Sequence, residues 1–290
     1  MRQGLLAATL AYLIWGLFPI YWKQLQAVPA AQIMAHRIVW CLALVALWLW
    51  LREGFGWMRR LSLHLLLMLS ASALMIGLNW WLYIWAVNSG HIVETSLGYF
   101  INPLVSVLFA VALLGERLNR AQWAAVAVAA LGVLWLTLHA GRVPWIALLL
   151  AVSFASYGLL RKLAEVPAVQ GLAIESGVLF IPALVFLLWE NHRGNAAFGH
   201  LDVQTDVLLI LGGLVTAVPL VLFAIGARRI RLSLIGILQY LAPTLQLLCG
   251  VLLFNEPFTG IQALGFGCIW LALLLYALDS VWRNHRQRSS

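Results

Sequence analysis

Ten apolar runs follow one another along this 290-residue chain, and each has the length of a membrane crossing. They lie at about 4–23, 32–51, 63–86, 92–114, 122–139, 144–162, 171–189, 207–226, 233–254 and 259–280. Each holds roughly 17 to 25 residues, which is what an α-helix needs to cross about 30 Å of hydrocarbon. Inside hydrocarbon every backbone N–H and C=O must be satisfied within the protein, so only helices and closed barrels can span it. The runs are continuous rather than alternating, which selects helices over a lipid-facing barrel. Composition agrees: 63% of residues are hydrophobic and 10% charged, against about 25% charged in a soluble domain. The expected fold class is an all-α polytopic membrane protein with ten transmembrane helices.

The connectors carry an orientation signal. With the N-terminus placed in the cytoplasm, the inside connectors hold Arg2, Arg52, Arg59, Arg60, Arg117, Arg120, Arg161, Lys162, Arg228, Arg229, Arg231, Arg283, Arg286 and Arg288. The outside connectors hold only Lys23, Arg142 and Arg193, and Arg37 lies within the second run. Positive residues stay on the cytoplasmic side, so both termini are expected inside. The same distribution accounts for the net charge of +8 without nucleic acid as a partner.

A frame inside the fourth run returns in the ninth. Tyr99-Phe100-Ile101-Asn102-Pro103 is answered by Gln239-Tyr240-Leu241-Ala242-Pro243, and Gly115-Glu116 by Asn255-Glu256. Both prolines precede their glutamate by the same interval. Duplication of a five-helix unit explains this, with residues 1–141 as the first repeat and 142–290 as the second. An odd number of spans per repeat makes the second run in the opposite sense, an inverted repeat of the kind that builds transporters. Pro103 and Pro243 lack a backbone donor and are expected to kink their helices. Glu116 and Glu256 fall at opposite membrane faces, and helix-end contacts or capping of the following helix are expected of them.

Polar residues inside these runs are costly and therefore informative. His91, Glu94, Gly98, Asn102 and Ser106 share one side of the fourth helix, with Thr95 and Tyr99 beside them. His91 and Glu94 stand in its first turn, where they form either an interfacial pair or a proton-coupling site. Asn102 is deeper and must bond within the bundle or to a substrate. Gln239, Pro243 and Gln246 make a stripe on the ninth helix. Arg37 either reaches the outer surface or pairs with Glu94, whose depth matches better than that of Glu175. Glu175 is expected to meet Arg161 or Lys162. Trp15, Asn79, Tyr83 and Tyr157 sit on stripes that either pack and anchor the helices or wall a cavity. Helices one, three, six and eight are expected as walls, with the kinked fourth and ninth as gates.

Other chemistries find little support. Cys41, Cys249 and Cys268 lie in apolar runs and suggest neither disulfides nor a metal cluster. His36, His91 and His139 have no recognised metal-ligand spacing. The chain has no nucleotide-binding loop, zinc signature or calcium loop. The sequence therefore implies no cofactor, no metal and no catalytic residue.

Several segments together carry a family likeness. They are Ala11-Tyr12-Leu13-Ile14-Trp15-Gly16, His36-Arg37, Asn79-Trp80, Tyr83-Ile84-Trp85-Ala86-Val87-Asn88, Glu94 through Leu104, Leu238 through Thr244, and Phe254-Asn255-Glu256. The chain resembles the drug/metabolite transporter superfamily, in its EamA-like group, and more closely the RarD-type proteins, which are labelled chloramphenicol-sensitivity proteins. The resemblance spans nearly the whole chain. It implies a bacterial inner-membrane carrier whose central cavity is reached alternately from each side. The expected function is secondary transport, in the export direction, of a small polar or amphipathic metabolite or drug-like molecule. Arg37, His91, Glu94, Pro103 and Pro243 are the coupling or gating candidates, with proton exchange through His91 or Glu94. The bilayer and the small-molecule substrate are the partners; a monomer suffices for the cavity, and a dimer is compatible. The rival readings are a non-transporting membrane receptor or assembly protein, and an intramembrane enzyme.

Overall fold

The computed structural model describes residues 2–115, 118–140, 143–164, 166–227 and 238–289. The described backbone is helical, with short connectors. In chain order the helices are α1 (Arg2–Gly16), α2 (Phe18–Lys23), α3 (Ala30–Arg52), α4 (Leu63–Asn88), α5 (Ile92–Leu114), α6 (Arg120–Ala140), α7 (Trp145–Ala164), α8 (Ala168–His192), α9 (Val203–Ala227), α10 (Leu241–Leu248) and α11 (Gly260–Ser289). Among the described residues, seven apolar helical stretches are long enough to cross a membrane, the first made of α1 and α2 together. Trp145–Arg161, Leu241–Leu253 and Gly260–Leu275 are shorter apolar helices. Outward-facing Leu131, Leu138, Ile181, Leu188 and Val203 are more than half exposed. Apolar surface of that extent is what lipid, not water, covers.

Local chemistry sets the helix ends. Pro29 and Pro167 stand immediately before α3 and α8. The Ser62 hydroxyl accepts from Leu65 N at 3.2 Å and caps α4. At the start of α6, Gln122 N donates to Asn119 Oδ1 at 2.9 Å and Asn119 N to Gln122 Oε1 at 3.1 Å. At the start of α11, Thr259 N donates to Gln262 Oε1 at 2.8 Å and Gln262 N to Thr259 Oγ1 at 3.3 Å. These reciprocal caps stand in the same relation along the chain as Pro103 and Pro243. Gly115 (φ +68°) and Asn255 (φ 52°) follow the same spacing. The left-handed conformation that ends a helix is open to glycine and tolerated by asparagine. Glu116, the partner of Glu256 in the repeated frame, lies outside the described residues.

The two prolines sit differently in their helices. Pro103 lies inside α5, whose helical course is unbroken from Ile92 to Leu114. Pro243 is the third residue of α10, not the middle of a longer described helix. In a first turn its missing N–H is one that would have no intrahelical acceptor anyway. The Gln239–Tyr240 turn stands where the missing Pro243 N–H would have reached back four residues, and a π-helical segment follows at Cys249–Leu253. Such segments break the regular hydrogen-bond ladder of a helix.

Helix α6 packs along α11, α5 along α7, α1 along α9, α4 along α7 and α8, and α3 along α8 and α9. The short α10 lies against α1 and α5. Small residues permit the closest approaches, as membrane helices require. A Cβ on Gly98 would stand 2.8 Å from the Ala147 carbonyl oxygen, between α5 and α7. A Cβ on Gly132 would stand 2.9 Å from the Gly265 carbonyl oxygen, between α6 and α11.

Glu256 ties the two halves of the chain together, and it does not cap the helix that follows it. Its two carboxylate oxygens accept from Ile92 N and Val93 N, each at 2.8 Å. The negative charge thus sits on the N-terminus of α5, where free amides and the helix dipole both favour it. Glu256→Ala removes both acceptors. It should cost about 1–2 kcal/mol, the scale of a lost N-cap, seen as a lower melting temperature, while Glu256→Gln keeps one carbonyl acceptor and costs less. Equal melting of Glu256→Ala and wild type would contradict the clasp.

Candidate functional site

A cavity of about 690 Å³ occupies the middle of the bundle, bordered by α1, α3, α4, α5, α7, α8, α9 and the α10 region. Among the described residues, none of α6 or α11 borders it. Eleven of the residues picked out from sequence line it: Trp15, Arg37, Asn79, Tyr83, Tyr99, Asn102, Pro103, Tyr157, Gln239, Pro243 and Gln246. The walls include α3 and α8, which the sequence reading had left out.

Arg37 is the centre of one wall. It is 3% exposed, and its Nε donates to Thr216 Oγ1 at 2.6 Å. The Thr216 hydroxyl in turn donates to the Gly212 carbonyl at 2.8 Å. The guanidinium carbon lies 4.0 Å from the centre of the Trp80 ring and 5.3 Å from that of Trp22. Cation–π contact offsets part of the desolvation of a buried guanidinium. The expected Arg37–Glu94 pair does not form. Glu94 turns instead to the start of α7, where its Oε1 accepts from Ile146 N at 3.2 Å. Depth alone matched Arg37 to Glu94; in the structure Arg37 bonds to α9 and Glu94 to the start of α7.

His91 and Glu94 also lie off the cavity. His91 stacks on Trp85, with ring centres 5.8 Å apart and planes at 13°. Both residues belong to the helix-end packing, so the structure does not bring them to a substrate route. Among the described residues, no three histidines, cysteines or carboxylates cluster.

The opposite wall is a hydrogen-bonded frame. Asn79 Nδ2 donates to the Leu150 carbonyl and to Ser153 Oγ, both at 3.0 Å, and its Oδ1 accepts from Tyr99 Oη at 3.1 Å. This fully used amide fixes the Tyr99 ring, which meets Tyr83 at 5.7 Å and Phe154 at 5.9 Å between ring centres. Tyr12, Trp15 and Phe223 form a second aromatic group, with centres 5.4 to 5.9 Å apart. Gln246 Nε2 donates to the Trp15 carbonyl at 3.1 Å and joins α10 to α1. Tyr83 Oη, Asn102 Oδ1 and Gln246 Oε1 are buried without a hydrogen-bond partner.

The two ends of the cavity differ. Toward the α7–α8 connector it reaches Arg161, Val166 and Val169. Arg161 Nε lies 3.6 Å from Glu175 Oε1, which also accepts from Ser72 Oγ at 2.7 Å. Toward the α2–α3 connector, Trp22, Leu25 and Leu82 are wholly buried in a tight apolar cluster. There Gln32 closes the seam: its Nε2 donates to the Asn195 carbonyl at 2.8 Å, and its Oε1 accepts from Ala197 N at 2.9 Å. The Tyr21 hydroxyl donates to the Leu208 carbonyl alongside.

Thr216, Trp80 and Phe223 were not legible as site residues. Thr216 is 179 positions from the arginine it holds, and no local spacing links them. Trp80 gave a weak signal, as the neighbour of Asn79 in an apolar run.

A helical bundle with a central polar–aromatic cavity is the arrangement expected of a carrier. The EamA-like transporter family profile matches residues 2–138 and again 143–278. The chain belongs to the EamA-like transporter family. It is 46% identical to the protein RarD of Streptomyces exfoliatus over 99% of this chain and 92% of that one. It is 44% identical to the uncharacterized transporter YojE of Bacillus subtilis (strain 168), over 98% of this chain and 96% of that one. A solved crystal structure, 23% identical, superposes with a TM-score of 0.61 over 96% of this chain and 97% of that one, and shows the same fold. EamA-like membership of the RarD type makes this a multi-pass bacterial inner-membrane transporter and not an enzyme.

Proposed function

We propose that the chain is a secondary transporter that exports a small polar or amphipathic molecule by alternating access. The carrying observation is the cavity's asymmetry. It extends to Arg161 and Val166 at one end and is sealed by Trp22, Leu25 and Gln32 at the other. With the arginine-rich connectors on the cytoplasmic side, this is an inward-facing state with both termini inside.

Ten spans in two inverted repeats, divided near 141 and 142, complete the reading. The double family match supports the division. So does the contact pattern. When the first five runs are exchanged with the last five, α5–α7 becomes α1–α10, α4–α7 becomes α1–α9 and α3–α9 becomes α4–α8. The pairs α3–α8, α5–α10 and α6–α11 map onto themselves. Two halves related in this way let one gate open as its counterpart closes. One chain contains the whole cavity, so a monomer suffices.

Gly158 provides the test. It lines the cavity, and a Cβ placed there meets no atom within 4 Å. Gly158→Trp should therefore fold while filling the cavity. In proteoliposomes, wild-type protein should show saturable, gradient-driven flux of at least one member of a panel of amino acids, aromatic acids and sugar phosphates. Gly158→Trp should lose that flux and keep its melting temperature. Wild-type flux in a folded Gly158→Trp protein would remove the cavity from the route, and no flux of any panel member by wild type would sink the transport reading. Repeating the flux with and without a pH gradient tests proton exchange.

A further inference from the structure

Among the described residues two arginines, Arg37 and Arg161, border the cavity, and they are treated differently. Arg161 has Glu175 beside it, with its Nε 3.6 Å from the carboxylate. Arg37 is the more buried, and among the described residues no carboxylate pairs with it. Among the described residues its hydrogen bond is to the neutral Thr216 hydroxyl. Nearby aromatic faces stabilise a cation but do not neutralise it. Among the described residues that line the cavity there is no aspartate or glutamate. Burying an uncompensated charge is costly, and such charges are kept where a ligand supplies the counter-charge.

The remaining polar groups fit the same ligand. The guanidinium's terminal nitrogens have no hydrogen bond among the described residues, and the buried Tyr83 hydroxyl is an unused donor. The unused acceptors are the neutral amide oxygens of Asn102 and Gln246. Those can meet a hydroxyl or amide N–H, but they cannot balance an ammonium. The aromatic groups around Trp15 and Tyr99 offer flat apolar surface on either side. We propose that the cavity takes a small organic anion, a carboxylate on a planar apolar body, with the carboxylate bound by Arg37. A planar guanidinium matches a carboxylate through two parallel hydrogen bonds. The proposal rests on the transport reading for its site and narrows the substrate class to anions over zwitterions and cations.

The test holds the body constant and changes the charge. Binding of 3-phenylpropanoate, L-phenylalanine and 3-phenylpropylamine to the full-length protein in nanodiscs is measured by calorimetry. The anion should bind more tightly than the zwitterion and the amine by about tenfold or more, equivalent to about 1.4 kcal/mol. Arg37→Gln should abolish that preference, and Arg37→Lys should keep it at reduced affinity. If Arg37→Gln fails to fold, the ligand series on wild type and Arg37→Lys still decides. No saturable binding of 3-phenylpropanoate overturns the proposal, as does equal binding of all three probes. Displacement of the probe by chloride at equal concentration assigns the site to an inorganic anion and also overturns it. A protein that moves cargo in proteoliposomes but does not favour the anion loses this proposal and keeps the transport reading. One that binds the anion through Arg37 but moves nothing keeps the site and loses transport.

Discussion

Gly213→Ala should destabilise the protein by about 1–3 kcal/mol, the range for forcing extra volume into a packed interior, while Gly212→Ala should not. The two glycines are adjacent on α9, and their surroundings differ. A Cβ on Gly213 would stand 2.5 Å from the Trp40 carbonyl carbon and 2.7 Å from Cys41 N. Both are backbone atoms of α3 and cannot rotate away, so the two helices would have to separate. That separation would also pull at Arg37 and Thr216, which join the same two helices at 2.6 Å. A Cβ on Gly212 meets nothing nearer than 3.9 Å. There alanine removes only glycine's helix penalty, a gain of up to about 1 kcal/mol. Thermal or detergent unfolding of the two variants side by side tests this; equal stabilities would mean that α3 and α9 do not cross where the structure places them.

Arg161→Met should cost about 3 kcal/mol or more, the scale for leaving one member of a buried ion pair behind. Glu175 is 1% exposed, so the carboxylate that remains cannot turn to water. Ser72 still donates to Oε1, and Oε2 has no partner even in the intact pair. Glu175→Gln should cost less, because Arg161 keeps its contacts to the Val166 and Pro167 carbonyls at 3.4 and 3.5 Å. Combining the two substitutions should recover much of the stability lost in Arg161→Met, since no charge is then stranded. A double variant as unstable as the sum of the singles would refute the pairing.

The chain's local physics is legible along its length. The apolar runs at 32–51, 63–86 and 92–114 correspond closely to α3, α4 and α5. The hydrocarbon thickness sets their length, and hydropathy alone reports it. The stripes at Trp15, Asn79, Tyr83 and Tyr157 pointed at the cavity because polar and aromatic groups shared a helix face. For His91 and Glu94 the helix face left two readings, an interfacial helix-end contact or a proton-coupling site, and Glu94 meets the start of α7. A polar face at a helix end meets either a cavity or another helix end, and a wheel projection cannot separate the two. At Pro243 the disturbance that a missing N–H implies has its counterpart in the Gln239–Tyr240 turn just before it.

The ninth run shows the limit from the other side. The repeated frame identified Glu256 as a residue of consequence, and its charge suggested a helix end. Which helix end was settled only by assembly, since Ile92 and Val93 stand more than 160 positions earlier. The sequence by itself determined the membrane environment, the helix lengths and the internal likeness of the two halves. Each follows from the free energy of placing backbone and side chains in hydrocarbon, or from residue spacing along one strand of text. The tertiary structure decided which polar groups meet: Arg37 with Thr216 and Trp80, Glu94 with Ile146, Glu175 with Arg161 and Ser72. Those meetings depend on helix rotation and crossing. Contacts across the whole bundle set both, so no single segment of the chain encodes either.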